Sequence, residues 1–189
     1  VEALGFRPDR LARADGRHIA ADMVVGGMWV IPNTEWLDGS GLALDGGVLC
    51  EPTLFARCSV DVEAAGDVAR WSPSLYDGAM VRVEHWSNAN EQSAVAARNL
   101  LAGPEHARPF AEVPNFATTV HGARIQTAGL PQLADEAKIT AGSPEEDRFA
   151  VAFTRGGVLV GAVAVNFPKD LILLNGRSRH AQRRDYDSR

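Results

Sequence analysis

The feature that most constrains this chain is the stretch 63–103, where a short apolar segment (Val60, Val62, Ala64, Ala65) runs into Gly66-Asp67. An irregular loop with Pro73, Asp77 and Gly78 follows, then Glu84-His85-Trp86 and an alanine-rich stretch closed by Gly103. A small residue and a carboxylate at the end of a buried strand, followed by a polar helix start, is how open α/β sheets build a ligand site. The expected elements are a strand over 60–65 and a helix after Trp86. Asn88 and Glu91 have N-cap and N3 spacing, Val95, Leu100 and Leu101 supply apolar positions, and Gly103 is a good stop. The alanines suit close packing against a backbone or cofactor. They equally suit a helix for its own sake, because alanine is the best helix former.

Upstream, Asp15-Gly16 between two short alternating runs predicts a hairpin over 10–20. Met23-Val24-Val25 is a continuous apolar run of the kind found in buried parallel strands. Thr34 is placed to cap a short helix through Glu35, Trp36 and Leu37, and Asp45-Gly46-Gly47 is a turn signal between Leu44 and Val48. Residues 104–115, with three prolines, read as a linker. Beyond it the pattern changes. Strands are expected over 123–127, 149–154 and 158–165, the last two paired around Arg155-Gly156-Gly157, with a helical turn or loop at Ser143-Pro144-Glu145-Glu146. Pro168 opens a helix through Leu174, and the polar, arginine-rich 177–189 reads as a disordered tail.

At 189 residues the chain is long enough for one sizeable core or two small ones. A net charge of -5 argues against nucleic acid as a partner, since phosphate binding favours a basic surface. Cys50 and Cys58 have neither CxxC spacing nor histidines nearby, so buried free thiols are expected rather than a metal site. No apolar run approaches the ~20 residues of a membrane span, and no signal peptide is visible, so the expected location is cytoplasmic. The chain opens on Val1 in sequence that reads as mid-domain, which suggests an enzyme that begins further upstream.

Three separated segments together resemble the FAD-dependent, NAD(P)H-linked ferredoxin reductases. The resemblance is to the rubredoxin and putidaredoxin reductase type within the pyridine nucleotide-disulfide oxidoreductase superfamily. The first segment runs from Ala21-Asp22-Met23-Val24-Val25 to Pro32-Asn33-Thr34-Glu35-Trp36 and is similar to the strand leaving the family's NAD domain. The second is Ala64-Ala65-Gly66-Asp67-Val68-Ala69-Arg70-Trp71 with Val83-Glu84-His85-Trp86-Ser87-Asn88-Ala89 downstream. The third joins Gly122-Ala123-Arg124-Ile125-Gln126 to Gly161-Ala162-Val163-Ala164-Val165-Asn166 and Pro168-Lys169-Asp170, and resembles the family's small C-terminal α+β domain.

The resemblance implies an α/β plus α+β fold, the C-terminal part of a discontinuous Rossmann-like FAD domain followed by a reductase C-terminal domain. Its boundaries are 1–35 for the end of the NAD(P) domain, 36–103 for the second FAD segment, 104–115 for the linker and 116–175 for the C-terminal domain. It implies FAD as cofactor, NAD(P)H as co-substrate and a ferredoxin-type iron-sulfur protein as electron acceptor. On the flavin, Gly66 would permit close approach and Asp67 would accept a hydrogen bond from the ribityl or phosphate region. Glu84, His85 and Trp86 would sit beside the isoalloxazine and nicotinamide, ahead of a helix whose amides face the flavin's pyrimidine oxygen. The blander alternatives are a plain Gly-Asp turn, a packed or surface His85 and a core Trp86. Because the chemistry is hydride and electron transfer, no general base or nucleophile is expected.

The chain departs from the family at three places. It contains no G-x-G-x-x-G, although the family needs one such loop for FAD and another for NAD(P)H. Trp29 stands where the family has a glycine. Phe116-Ala117-Thr118-Thr119-Val120-His121-Gly122 replaces an aromatic Phe-Trp-Ser-Asp-Gln-Tyr-Gly segment. Three functional readings follow: part of a ferredoxin reductase, a non-catalytic remnant or interaction module without cofactor, and one half of a split or oligomeric enzyme. A strand over 60–65 without upstream neighbours would leave an apolar edge unpaired.

Overall fold

A computed structural model describes residues 3–7, 10–27, 30–76 and 78–167. The chain divides between Ile31 and Pro32 into two units. The first is a three-stranded antiparallel sheet of β1 (Ala3–Arg7), β2 (Arg10–Arg13) and β3 (His18–Ala20). The expected hairpin joins β2 to β3. Gly16 takes the left-handed conformation at φ 81°, and Asp15 accepts from the Arg17 amide at 3.1 Å while pairing with the Arg13 and Arg17 guanidinium groups.

The run Met23-Val24-Val25 is not a strand. Met23 and Val25 are exposed, and no regular element is found among the described residues between β3 and the short 3-10 helix Glu35–Leu37. An apolar run becomes a buried parallel strand only when strands flank it, and none does so among the described residues. Trp29 lies outside the described residues, as do Asp77, the helix expected from Pro168 and the tail over 177–189.

In the second unit, β4 (Val48–Cys50) and β5 (Ala69–Trp71) pair in parallel over three residues each. Their core gathers Trp71, Cys50, Leu54, Tyr76, Val81, Val83 and Phe110, with the Trp71 and Phe110 rings edge-to-face at 5.8 Å. The Asp45-Gly46-Gly47 turn is present, bridging Leu44 to Val48 and held by the Asp45–Arg70 ion pair. Cys50 is buried as expected, and burial raises its thiol to about 11, but Cys58 is exposed at φ 69°. The strand expected over 60–65 is absent. That segment makes one isolated bridge, Phe55 to Glu63, and leaves Val60 and Val62 exposed. Ala56 takes the Val62 carbonyl and Ala64 donates to Leu54, so its backbone bonds go to a loop instead of a ladder.

Helix α1 (Trp86–Ala102) starts earlier than its capping signal. His85 is the N-cap and contributes no side-chain cap; Asn88 lies inside the first turn, buried, donating its side-chain amide to the Val83 carbonyl at 3.1 Å. Gly103 ends the helix at φ 79°, its N–H donating to Asn99. Of the expected apolar positions, Val95 packs against the core while Leu100 and Leu101 are exposed; the buried residues of the helix are Asn88, Gln92, Ala96 and Asn99. Asn99 holds the Thr53 and Arg108 carbonyls and the Arg108 amide at 2.8–2.9 Å, which straps the Pro-rich segment 104–115 to the core. Phe110 of that segment is 1% exposed, and its amide donates to the Pro52 carbonyl.

The remainder is a five-stranded antiparallel sheet in the order β6-β7-β10-β9-β8. Its strands are β6 (Asn115–Val120), β7 (Ala123–Gly129), β8 (Glu136–Ser143), β9 (Arg148–Arg155) and β10 (Val158–Val165). The three expected strands are there, with β9 and β10 joined around Gly156-Gly157 and a 3-10 turn at Pro144–Glu146. β6 and β8 are not among the strands expected from the sequence. Both are edge strands with mainly exposed side chains, so neither carries the alternation that marks a half-buried strand. The buried face is built from small residues: Ala128, Ala150, Ala162 and Ala164, with Val113 and Phe167 against them. Close spacing depends on Gly129, at φ 74°, where a Cβ would stand 2.4 Å from the Val160 carbonyl oxygen.

Candidate functional site

The predicted residues meet at the N-terminal end of α1. Gly66 and Asp67 lie on a 3-10 turn, Gly66–Val68, between the irregular 59–65 segment and β5. Gly66 is buried at φ 76°, and a Cβ there would come 3.3 Å from the Ala89 Cβ of the helix. Its amide donates to the Gln92 side-chain oxygen at 2.7 Å. The turn therefore sits directly on the first turns of α1. Position 66 needs glycine both for its backbone conformation and for this approach.

Asp67 has an exposed side chain, and its carbonyl accepts from Arg82 Nη1 at 3.2 Å. The same nitrogen lies 2.5 Å from Glu84 Oε1, with both side chains about one-fifth exposed at 20% and 22%. Arg82 thus bridges the two halves of the site. His85 is half-buried, its ring stacked on Phe116 of β6 at 5.2 Å and 29°. Burial lowers its pKa below the usual 6.5, opposed by the charges of Asp67 and Glu84 and by the Asn115 backbone acting as a hydrogen-bond acceptor. Both acidic side chains act on this one ring. Ser87 Oγ donates to the Asn115 carbonyl at 2.8 Å, a second tie between the helix start and β6. Trp86 is 87% exposed.

Chemically, this is a helix start without a side-chain cap and without an acidic residue in its first turn. Its orphan amides and positive dipole end suit an oxygen that carries or develops negative charge. Gln92 and Arg82 were not singled out in the sequence. Gln92 had a signal: with Asn88 it forms an i, i+4 polar pair within an otherwise alanine-rich helix. Arg82 had none beyond its nearness to Glu84. The Asn88 side-chain oxygen and the Gln92 side-chain nitrogen are sealed from solvent without a hydrogen-bond partner.

Residues 5–93 match the model of the pyridine nucleotide-disulphide oxidoreductases, and residues 118–187 match the reductase C-terminal domain. The chain belongs to this reductase family. A ferredoxin reductase subunit of 5,5'-dehydrodivanillate O-demethylase from Sphingobium is 33% identical over 84% of the chain. The ferredoxin--NAD(+) reductase component of the anthranilate 1,2-dioxygenase system of Burkholderia cepacia is 33% identical over 85% of it. Among solved structures, the putidaredoxin reductase–putidaredoxin complex superimposes with a TM-score of 0.76 at 25% identity, covering 90% of the chain. A ferredoxin reductase from Rhodopseudomonas palustris gives 0.74 at 29% identity over 87%. The fold is accordingly the α/β plus α+β combination expected, a pyridine nucleotide-disulphide oxidoreductase segment followed by a reductase C-terminal domain. The chain spans 37–38% of the length of these two curated relatives. At the level of the family, FAD and NAD(P)H are the cofactor and co-substrate. No helix among the described residues is long and apolar enough to cross a membrane.

Proposed function

We propose that this chain forms one wall of the flavin site of a cytoplasmic ferredoxin reductase, and that the complete enzyme passes electrons from NAD(P)H through FAD to a small iron-sulfur protein. The observation that carries the reading is the convergence of Gly66, Asp67, Glu84, His85 and Trp86 on one uncapped helix start. On this reading 1–35 ends the NAD(P) domain, 36–103 is the second FAD segment and 116–175 is the C-terminal domain, joined by 104–115.

The residues fit a flavin. Gly66 lets the turn seat directly on the start of α1, and the Asp67 side chain beside it is exposed and placed to accept from a hydroxyl. The first-turn amides of α1 favour a carbonyl oxygen that gains charge on reduction. Burial disfavours a positive charge on His85, and its ring is stacked on Phe116. Trp86 offers an exposed aromatic face at the mouth of the site. When bound, FAD would supply two-electron acceptance from the nicotinamide and one-electron release to the acceptor.

The test is flavin binding by the chain supplied with an upstream polypeptide that bears both glycine-rich loops, on one chain or as a separate half. Yellow protein with quenched flavin fluorescence, lost on Asp67→Ala, is the expected result. Colourless protein under these conditions overturns the reading. The second reading, a non-catalytic remnant or interaction module, is favoured by the 116–122 segment, which lacks the tryptophan, aspartate and glutamine of its flavin-binding counterparts. Flavin co-purifying with the chain would dispose of it.

A further inference from the structure

We infer that Arg82 and Gln92 are positioning residues that clamp the Gly66-Asp67 turn to the Glu84-His85-Trp86 helix start, and so set the shape of the candidate site. Neither side chain is among the residues assigned to the ligand. For its consequence in cofactor binding the inference rests on the flavin reading; the clamp itself does not.

The turn is flanked by short pairings: residues 59–65 make one isolated bridge and a few loop hydrogen bonds, and β5 pairs with β4 over three residues and bridges Val81 at Trp71. A buried amide N–H must find an acceptor, and Gly66 finds the Gln92 side-chain oxygen at 2.7 Å on the fully buried face of α1. That bond spans 26 residues of sequence and joins the turn to the second turn of the helix. On the other side, Arg82 Nη1 sits between the Asp67 carbonyl at 3.2 Å and Glu84 Oε1 at 2.5 Å. One guanidinium therefore fixes the carbonyl after Gly66 and the carboxylate before His85 together. A charged donor serving two acceptors is stronger and more directional than a neutral one.

The electrostatic consequence falls on His85. Asp67 and Glu84 both favour its protonated form, and burial opposes them. Arg82, paired with Glu84, offsets one of these two negative charges, and Asp67 and Glu84 are the charged groups that act on the ring among the described residues.

The experiment uses the full chain and NMR. Amide exchange is read at Gly66 and at Ala150 and Val163 of the C-terminal sheet, and the His85 ring is titrated. Gln92→Leu should speed exchange at Gly66 by about tenfold or more, with Ala150 and Val163 unchanged. Gln92→Glu, which keeps the acceptor, should restore protection. Arg82→Met should move the His85 midpoint upward, since Glu84 is then unpaired, and Arg82→Lys should move it less. Unchanged Gly66 exchange in Gln92→Leu overturns the clamp, as does parallel acceleration at all three amides, or a His85 midpoint that stays in place in Arg82→Met. A flavin-quenching titration runs on the same proteins joined by the upstream half. Failure of the wild type to bind FAD ends the flavin reading, while the clamp stands or falls on exchange and titration.

Discussion

The region around α1 and the C-terminal sheet solve the same problem in opposite ways. In the sheet, antiparallel ladders hold every strand, three of the four pairings joining neighbours in sequence, and alanines and glycines let the backbones and covering groups approach closely. Around α1 the ladders are almost missing. Three buried amide side chains, Asn88, Gln92 and Asn99, take over the backbone groups of the turn, the loop and the strap. The lesson is that a helix face can be buried and polar when its task is to hold irregular backbone. Such a face trades apolar burial for hydrogen bonds that leave large penalties if broken.

The comparison is broken most severely at Asn99. Asn99→Ala removes three hydrogen bonds and strands the Thr53 carbonyl and both polar groups of Arg108. The expected loss is about 3 kcal/mol, because each of the three hydrogen bonds contributes about 1 kcal/mol. Denaturant unfolding followed by tryptophan fluorescence checks it, since Trp71 packs on Phe110 of the released strap. An equal loss from Ala96→Gly, on the same buried face, would mean that helix propensity and not the strap explains the result.

Within the sheet the matching lesion is Gly129→Ala. Its Cβ would meet the Val160 carbonyl at 2.4 Å, and a φ of 74° is itself strained for alanine. The expected cost is about 2 kcal/mol, within the range for overpacking and left-handed strain. Exchange measured amide by amide should show β7 and β10 opening first, where Asn99→Ala instead opens the 104–115 strap. Identical exchange patterns from the two variants would erase the distinction between the regions.

A smaller effect, and one with a sign, comes from Glu63. Both its carboxylate oxygens are sealed without a partner, and burial raises its pKa from 4.5 to about 7. The folded state therefore holds a proton that the unfolded state has released. Glu63 costs nothing below pH 4.5, becomes progressively destabilising as pH rises from 4.5 to about 7, and stays so above. Glu63→Gln should leave the melting temperature unchanged at pH 4 and raise it by about 2–4 °C at pH 8. A variant that gains equally at both pH values would show that the benefit is not ionisation.

What the sequence made legible follows the range of the forces involved. Asp15-Gly16, Gly156-Gly157 and the Gly103 stop act within a few residues, and all are where their residue types predict. Met23–Val25 and 60–65 read as strands because their composition is right, yet a parallel strand exists only through neighbours that residue pattern cannot supply. Asn88 and Glu91 offered a plausible cap spacing. The fold starts the helix earlier and spends Asn88 on the Val83 carbonyl. The residues of the candidate site were legible as a set because Gly66-Asp67 and Glu84-His85-Trp86 are contiguous motifs, and the fold brings both to the start of α1. Arg82 and Gln92 were not, since their roles consist of contacts across 15 and 26 residues.

The smallest expected effect sharpens the comparison at its outer boundary. Leu100 and Leu101 read as the apolar face of α1, but Leu101 is 89% exposed in the structure, while the inward positions nearby are Ala96 and Asn99. If the polar face is the true anchor, Leu101→Gln removes no buried contact and changes stability by at most about 0.5 kcal/mol, as for surface substitutions generally. Glutamine propagates a helix nearly as well as leucine, so propensity does not confound the measurement. A loss of 2 kcal/mol or more, the roughly expected cost of truncating a buried leucine, would place Leu101 in a contact that the described residues lack. In that event α1 would have two anchoring faces. Flavin binding by the joined protein, unchanged in Leu101→Gln if the site lies only at the helix start, would then be the measurement that separates a packing face from a functional one.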